Sequence, residues 1–326
     1  MCLHPRQLYV RKYGRFIDIP CGKCLECQKT RQRNTVIRLR EEFKDTSNKM
    51  AMFFTLTYEE ENVPIATYEV KSFDAWNEGK TVTCRVLYRR DVQLFVKRVR
   101  KYCEDHMNGM KIRVFYCGEY GPKTLRPHYH GIIFFPEFVD AYKFKSVLQS
   151  KWSKGYVTAK KCDDNASFYV SKYTNAVVAN SDFFRNLPRE FRPFRVSPKH
   201  MGLAYLTEAK IKYFREQYDL NNYEAICYTF IIKDKPVRVP LPPPFLKKIF
   251  HPMEKDFIAF YWIKQHDKKT FERYDQMAAI WNDTERSLPE RKRIFDQYIE
   301  REHNERLERI NALEHWYTKS IKTCKI

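Results

Sequence analysis

Between Met52 and Lys160 the chain runs through apolar segments in the order strand, helix, strand, strand, helix, strand, and few folds accept that order. Met52–Tyr58 (Met-Phe-Phe-Thr-Leu-Thr-Tyr) is aromatic and β-branched and reads as a strand. A long polar excursion follows, with a further short strand at Thr81–Tyr88. Asp91 is placed to cap a helix carrying Val92, Phe95, Val96 and Val99 on one face, with Lys97, Arg98, Arg100 and Lys101 around it. Ile112–Cys117 is the next strand, and a turn over Gly118–Pro127 returns the chain into His128–Phe135, which Pro136 ends. Asp140–Trp152 is a second amphipathic helix with Gly155 as its C-terminal cap, and Tyr156–Lys160 is the last strand. The expected class is α+β, a ferredoxin-like β-α-β-β-α-β core with an antiparallel sheet, followed by a helical C-terminal tail.

Around this core the sequence divides into a Cys-rich basic module (1–48), the core itself (50–182), a basic accessory region (183–235), a Pro-rich linker (236–252) and the tail (253–326). The accessory region includes a strand pair around Tyr223–Ile232, and the linker contains Pro242-Pro243-Pro244. In the tail, Ser287 and Glu290 form a capping box, and Leu307, Ile310 and Leu313 share one apolar face. The formal charge is +20, yet residues 251–326 hold 15 basic and 14 acidic side chains, so nearly all the excess lies before residue 251. A charge so concentrated fits a polyanionic partner. No apolar run reaches membrane-spanning length, and Met1–Arg6 lacks the apolar stretch of a secretory signal, so a soluble intracellular protein is expected, with no membrane partner.

Two groups of residues carry chemistry. His128 and His130 leave the same face of a strand, where two imidazoles can clamp one ion. Glu119, at the end of the preceding strand, is the candidate third ligand, and a carboxylate in the set suits Mg²⁺ or Mn²⁺. Ser167 opens a helix through about Ala179 that places Tyr169 and Tyr173 one turn apart on one face. A phenol is a weak nucleophile until a metal polarises the electrophile and a cation favours the phenolate. Lys172 is close enough in sequence to lower a phenol pKa or to neutralise phosphate charge. Separately, Cys21, Cys24 and Cys27 have thiolate-cluster spacing, and Cys2 closes a tetrahedron, with His4 as a competing fourth ligand. A structural Zn²⁺ there would present Lys29, Arg31, Arg33 and Arg38 to phosphates.

These segments resemble the HUH endonucleases, the rolling-circle replication initiators, and most closely the two-tyrosine proteins of small single-stranded DNA phages, the microviruses and their gokushovirus branch. Phe54-Thr-Leu-Thr-Tyr58 is similar to the first family motif. Gly118-Glu-Tyr-Gly121 with Arg126-Pro-His-Tyr-His-Gly131 is similar to the second, and Tyr169-Val-Ser-Lys-Tyr173 to the third. The resemblance covers roughly residues 50–180, and the N-terminal cysteine module also looks like that of gokushovirus proteins. It implies a ferredoxin-like core, a metal held by His128, His130 and Glu119, and a tyrosine that attacks the scissile phosphate of single-stranded or extruded origin DNA. The product is a 5′-phosphotyrosyl enzyme and a free 3′-OH, which primes host DNA polymerase. Arg126 is expected among the DNA contacts. A host helicase is expected on the resemblance alone, because no Gly-rich phosphate loop is present. The cytoplasm of a bacterial host is the implied location. An HUH transposase or plasmid initiator shares this chemistry, and a ferredoxin-like nucleic-acid-binding protein without catalysis shares the fold.

Overall fold

The computed structural model describes residues 5–11, 14–22, 24–69, 79–121, 124–167, 187–232 and 234–322. The chain divides into two compact units, one of Gly22–Tyr205 and one formed by Met1–Cys21 with Leu206–Ser320.

The first unit is built on a five-stranded sheet. Its strands are β3 (Met50–Tyr58), β6 (Arg113–Tyr120), β7 (Pro127–Phe135), β8 (Gly155–Lys161) and β9 (Phe194–Val196), in the spatial order β8-β3-β7-β6-β9. Every neighbouring pair is antiparallel. Helix α2 (Arg89–His106) crosses from β3 to β6, and α3 (Ala141–Lys151) crosses from β7 to β8. The expected β-α-β-β-α-β order is therefore present, with β9 added at one edge.

Strand alternation sorts the side chains onto two faces. Met52, Phe54, Leu56 and Tyr58 of β3 join Tyr129, Ile133 and Phe135 of β7 against Val92, Phe95, Val96 and Val99 of α2. Phe144 and Leu148 of α3, with Trp152 just beyond it, close the same layer. The opposite face carries Ala51, Phe53, Phe115, Cys117, Ile132 and Phe134, covered by Leu39 from α1 (Leu25–Phe43) and by Met201. Coverage on both sides explains why the Ile132–Phe135 run is continuously apolar rather than alternating.

Gly131 follows the second histidine for a packing reason. It pairs with Phe54, and a Cβ there would overlap the Phe54 ring and the Phe115 carbonyl. Gly131→Ala is expected to cost about 1–3 kcal/mol through overpacking. A urea melt would report it as a lower midpoint, and an unchanged midpoint would mean that the Phe54 ring moves aside freely.

Several local expectations give way to tertiary demands. Asp91 does not cap α2: Tyr88 is the N-cap, and Asp91 turns inward in the first turn, 4% exposed. There it accepts from the buried Tyr58 hydroxyl at 2.8 Å and pairs with Lys154 at 3.5 Å. Asp140, by contrast, caps α3 as expected, accepting from the backbone N–H groups of Tyr142 and Lys143. Gly155 is not a helix cap but the first residue of β8. Its φ of +152° and the backbone of Thr57–Glu59 packed where a Cβ would sit explain the glycine. The polar excursion after β3 holds a two-stranded hairpin, β4 (Ile65–Glu69) with β5 (Thr81–Arg85).

The region expected to be a basic arm has regular structure. β1 (Arg6–Val10) and β2 (Arg15–Ile19) form an antiparallel hairpin, and α1 begins directly after Cys24. In the second unit, α4 (Glu208–Asp219) is followed by β10 (Cys227–Ile232), which pairs with β11 (Lys235–Pro240). The strand pair thus lies later than Tyr223–Ile232. The segment expected to be a linker supplies β11 and then α5 (Pro243–Ile249), with proline at the start of the helix, where it needs no N–H partner. Both β10 and β11 are edge strands of a two-stranded sheet, which tolerates Pro236 and Pro240. The tail consists of α6 (Pro252–Trp281), capped by a His251–Glu254 box, and α7 (Leu288–Lys322). At the start of α7, Glu290 accepts from both the backbone N–H and the hydroxyl of Ser287. On the expected apolar face of α7, Leu313 is buried and Leu307 is exposed. No described helix is long and apolar enough to cross a membrane.

Candidate metal centre

β6 and β7 are aligned so that Glu119 stands directly opposite His128, and Cys117 opposite His130. All four side chains leave the face that α1 partly covers. Glu119 is 3% and His130 6% exposed, while the His128 side chain, at 19%, is the most open of the three. One carboxylate oxygen, Glu119 Oε1, lies 2.8 Å from His128 Nε2 and 3.4 Å from His130 Nε2. The three candidate ligand atoms all fall within 4.8 Å of one another.

Those spacings suit a shared ion. Ligands bound at about 2.1 Å in near-octahedral geometry stand roughly 3 Å apart. A second observation agrees: Glu119 Oε2 is buried and has no hydrogen-bond partner among the described residues. A buried, unpartnered carboxylate oxygen is costly unless a cation completes it. The residues present therefore fit a divalent metal.

The far nitrogen of each imidazole is also held. His128 Nδ1 is 3.1 Å from the Arg126 carbonyl, so it carries the proton and leaves Nε2 for the ion. His130 Nδ1 is 2.8 Å from Thr55 Oγ1, and its ring stacks on Phe53. Burial opposes charge on His128, but the hydrogen bond and charge of Glu119 outweigh it and raise its pKa. Burial, reinforced by the neighbouring His128, lowers that of His130. Burial alone would raise the Glu119 pKa, and hydrogen bonds from both histidines reverse it to a net lowering. Without metal the group is thus a His128–Glu119 ion pair beside a neutral His130.

Sequence reasoning did not single out Thr55. The signal was there, since in Phe54-Thr-Leu-Thr-Tyr58 the two threonines alternate with the buried side chains and define a polar strip beside the histidines.

The other expected site residues fall differently. Tyr169, Lys172 and Tyr173 lie outside the described residues, as does Cys2. The chain makes a helical turn at 165–167, with Ser167 donating to the Asp164 carbonyl. Cys21, Cys24 and Cys27 gather their sulfurs within 4.8 Å of one another, and Cys24 is the N-cap of α1. Thiolates bound to a metal there would meet the positive end of the helix dipole. Lys29 and Arg31 are exposed on α1, and Arg33 is half-buried. Arg38 is not simply offered outward: its Nε donates to the Met201 carbonyl at 3.3 Å. Arg126 is held by the Tyr58 carbonyl and by Glu60, which also binds Arg85. Its backbone carbonyl, through His128, matters to the centre as much as its charge.

The sheet, the triad and their order along the chain converge with a family comparison. Residues 51–177 match the family model of the replication-associated protein ORF2. This core belongs to that family. The chain is 27% identical over 213 residues to the replication-associated protein ORF2 of Spiroplasma virus 4, covering 61% of this chain and 60% of that one. It is 26% identical over 203 residues to the replication-associated protein ORF4 of Chlamydia phage 1, covering 57% and 45%. To the replication-associated protein VP4 of Bdellovibrio phage phiMH2K it is 24% identical over 177 residues, half of each chain. The chain thus spans between 45% and 60% of the length of these relatives. No solved structure matches. Within this replication-associated core, the matched residues include all three ligands of the triad.

Proposed function

We propose that the protein initiates rolling-circle replication of a circular single-stranded DNA phage genome by nicking its origin through a covalent tyrosyl intermediate and later rejoining the strand. The observation that carries this reading is the buried Glu119–His128–His130 cluster, with its unpartnered carboxylate oxygen, inside a replication-associated core.

A divalent ion, Mg²⁺ or Mn²⁺, held by these three residues would supply Lewis-acid polarisation of the scissile phosphate. The remaining steps belong to the chain. Thr55 and the Arg126 carbonyl fix the two imidazoles so that Nε2 of each faces the site. Tyr169 or Tyr173 attacks phosphorus through its phenolic oxygen. The new Tyr O–P bond replaces the P–O3′ bond, and the phenolic proton ends on the departing 3′ oxygen. The link formed is again a phosphodiester, so the 3′-OH can reverse the step without a nucleotide cofactor. Lys172 would stabilise the phenolate or the phosphate charge. With two phenols, one can cleave the regenerated origin while the other still holds the first 5′ end. Host helicase and DNA polymerase would act on the opened strand in the bacterial cytoplasm. The cysteine cluster would serve as a structural Zn²⁺ site.

The test is cleavage of single-stranded fragments of the cognate circle in Mn²⁺ or EDTA. Tyr169→Phe and Tyr173→Phe are each expected to retain some cleavage, and the double variant to lose both cleavage and the detergent-resistant protein–DNA adduct. Unchanged cleavage by the double variant would place the nucleophile elsewhere. Tight binding by the wild type without cleavage of any fragment would reduce the protein to a binding module.

A further inference from the structure

The cross-strand register that builds the metal centre continues to the edge of the sheet. Thr55 pairs with His130, His130 with Cys117, and Cys117 with Arg195 of β9, so the four form one row on one face. Arg195 stands two strand spacings from His130, about 10 Å. It lies beyond residues 51–177, the segment matched by the family model.

Its guanidinium is oriented by α1. Nη1 donates to Thr35 Oγ1 and lies 3.4 Å from the Arg31 carbonyl, while the Thr35 hydroxyl itself donates to that carbonyl at 2.9 Å. Positions 31, 35 and 38 share one stripe of the helix, so Arg31 and Arg38 flank the same spot. Among the described residues no carboxylate pairs with Arg195. Burial, together with repulsion from Arg31 and Arg38, lowers its pKa to about 10. A half-buried cation held among two like charges, fixed only by neutral oxygens, is an arrangement that an anion would complete.

We propose that Arg195, with Arg31 and the charge of Arg38, forms a second phosphate site that grips the DNA strand beside the scissile phosphate. This deepens the nicking proposal and rests on it for the identity of the strand. Arg195 is a positioning residue. It holds the backbone so that the neighbouring phosphate falls on the metal, and Thr35 fixes the angle of its fork.

The experiment uses the full chain in EDTA with a fluorescent single-stranded oligonucleotide that includes the nick site, titrated over a series of salt concentrations. Arg195→Gln is expected to weaken binding about tenfold and to flatten the log K against log salt slope by roughly 0.7 to 1, the signature of one lost phosphate contact. Arg195→Lys should keep the slope, and Lys268→Gln in α6 should leave it unchanged. A scan with single neutral methylphosphonates should find one linkage whose neutralisation weakens the wild type but not Arg195→Gln. If Arg195→Gln fails to fold, Arg31→Gln on the exposed helix surface is read the same way. An unchanged slope in a folded Arg195→Gln, or a methylphosphonate penalty equal in both proteins, overturns the site. Loss of nicking is scored separately. A protein with the Arg195-dependent slope but no cleavage would sink the nuclease reading and leave the phosphate site standing, whereas normal nicking with no Arg195 effect would do the reverse.

Discussion

Glu119→Gln is expected to abolish metal-dependent cleavage while leaving the fold intact. The substitution keeps the size of the side chain and removes the only carboxylate among the three clustered ligands. In the metal-free protein the amide can still hydrogen-bond to His128 and His130, so stability in EDTA should change little. With Mn²⁺ the two proteins should separate. An ion at a hundred times its dissociation constant stabilises the native state by about 2.7 kcal/mol, so Mn²⁺ should raise the wild-type melting temperature and not that of the variant. Cleavage should fall roughly a thousandfold or more, because the Lewis-acid contribution is several kcal/mol and each 1.36 kcal/mol is a factor of ten. The checks are thermal melts with and without Mn²⁺, and single-turnover cleavage. An equal Mn²⁺-induced shift in both proteins would remove Glu119 from the ligand set and leave its unpartnered oxygen to be explained otherwise.

That triad was legible in the sequence because strand chemistry is local. His-Tyr-His within an apolar run places two imidazoles on one face whatever the rest of the chain does, and a short return turn brings Glu119 opposite them. The six-element order was legible for the same reason: each apolar run carries its own period. What escaped notice depends on distant partners. β9 is three residues, Phe194-Arg195-Val196, between Pro193 and Pro198, and reads locally as a basic loop until β6 offers it an edge. α1 reads as a charged arm, since its buried residues Val36, Ile37 and Leu39 interrupt a run dominated by Arg and Glu. Asp91 has the residue type and position of a cap, but the hydroxyl of Tyr58, buried 33 residues earlier in the chain, takes the carboxylate inward. Pro236 and Pro240 signal a linker only if the strand they sit in is assumed to be central, and it is an edge.

The helix that the sequence disguised is also the part whose anchoring is easiest to break. Glu42, 1% exposed near the end of α1, accepts two hydrogen bonds from the Arg113 guanidinium and one from the Gly202 backbone N–H at 2.8 Å. Gly202 has a φ of +74° and packs directly on the Arg38 backbone, so this carboxylate ties α1 to both β6 and the 199–202 turn. Removing one partner of a buried ion pair costs about 3–5 kcal/mol, and Glu42→Ala should fall near the lower end because the Arg113 side chain is 34% exposed. Adding Arg113→Met should restore part of that loss, since the double change no longer strands a charge. Urea melts of the two single variants and the double would measure the coupling, and additive effects would mean that the pair contributes no interaction of its own. The functional consequence should be selective. Glu119, His128 and His130 are placed by β6 and β7, so Mn²⁺ binding should survive in whatever fraction of Glu42→Ala remains folded. Thr35 and Arg31 ride on α1, so a loosened helix should lower DNA affinity and flatten its salt dependence in the manner of Arg195→Gln. Loss of Mn²⁺ binding and DNA binding in equal measure would instead mean that α1 and the sheet unfold as one unit.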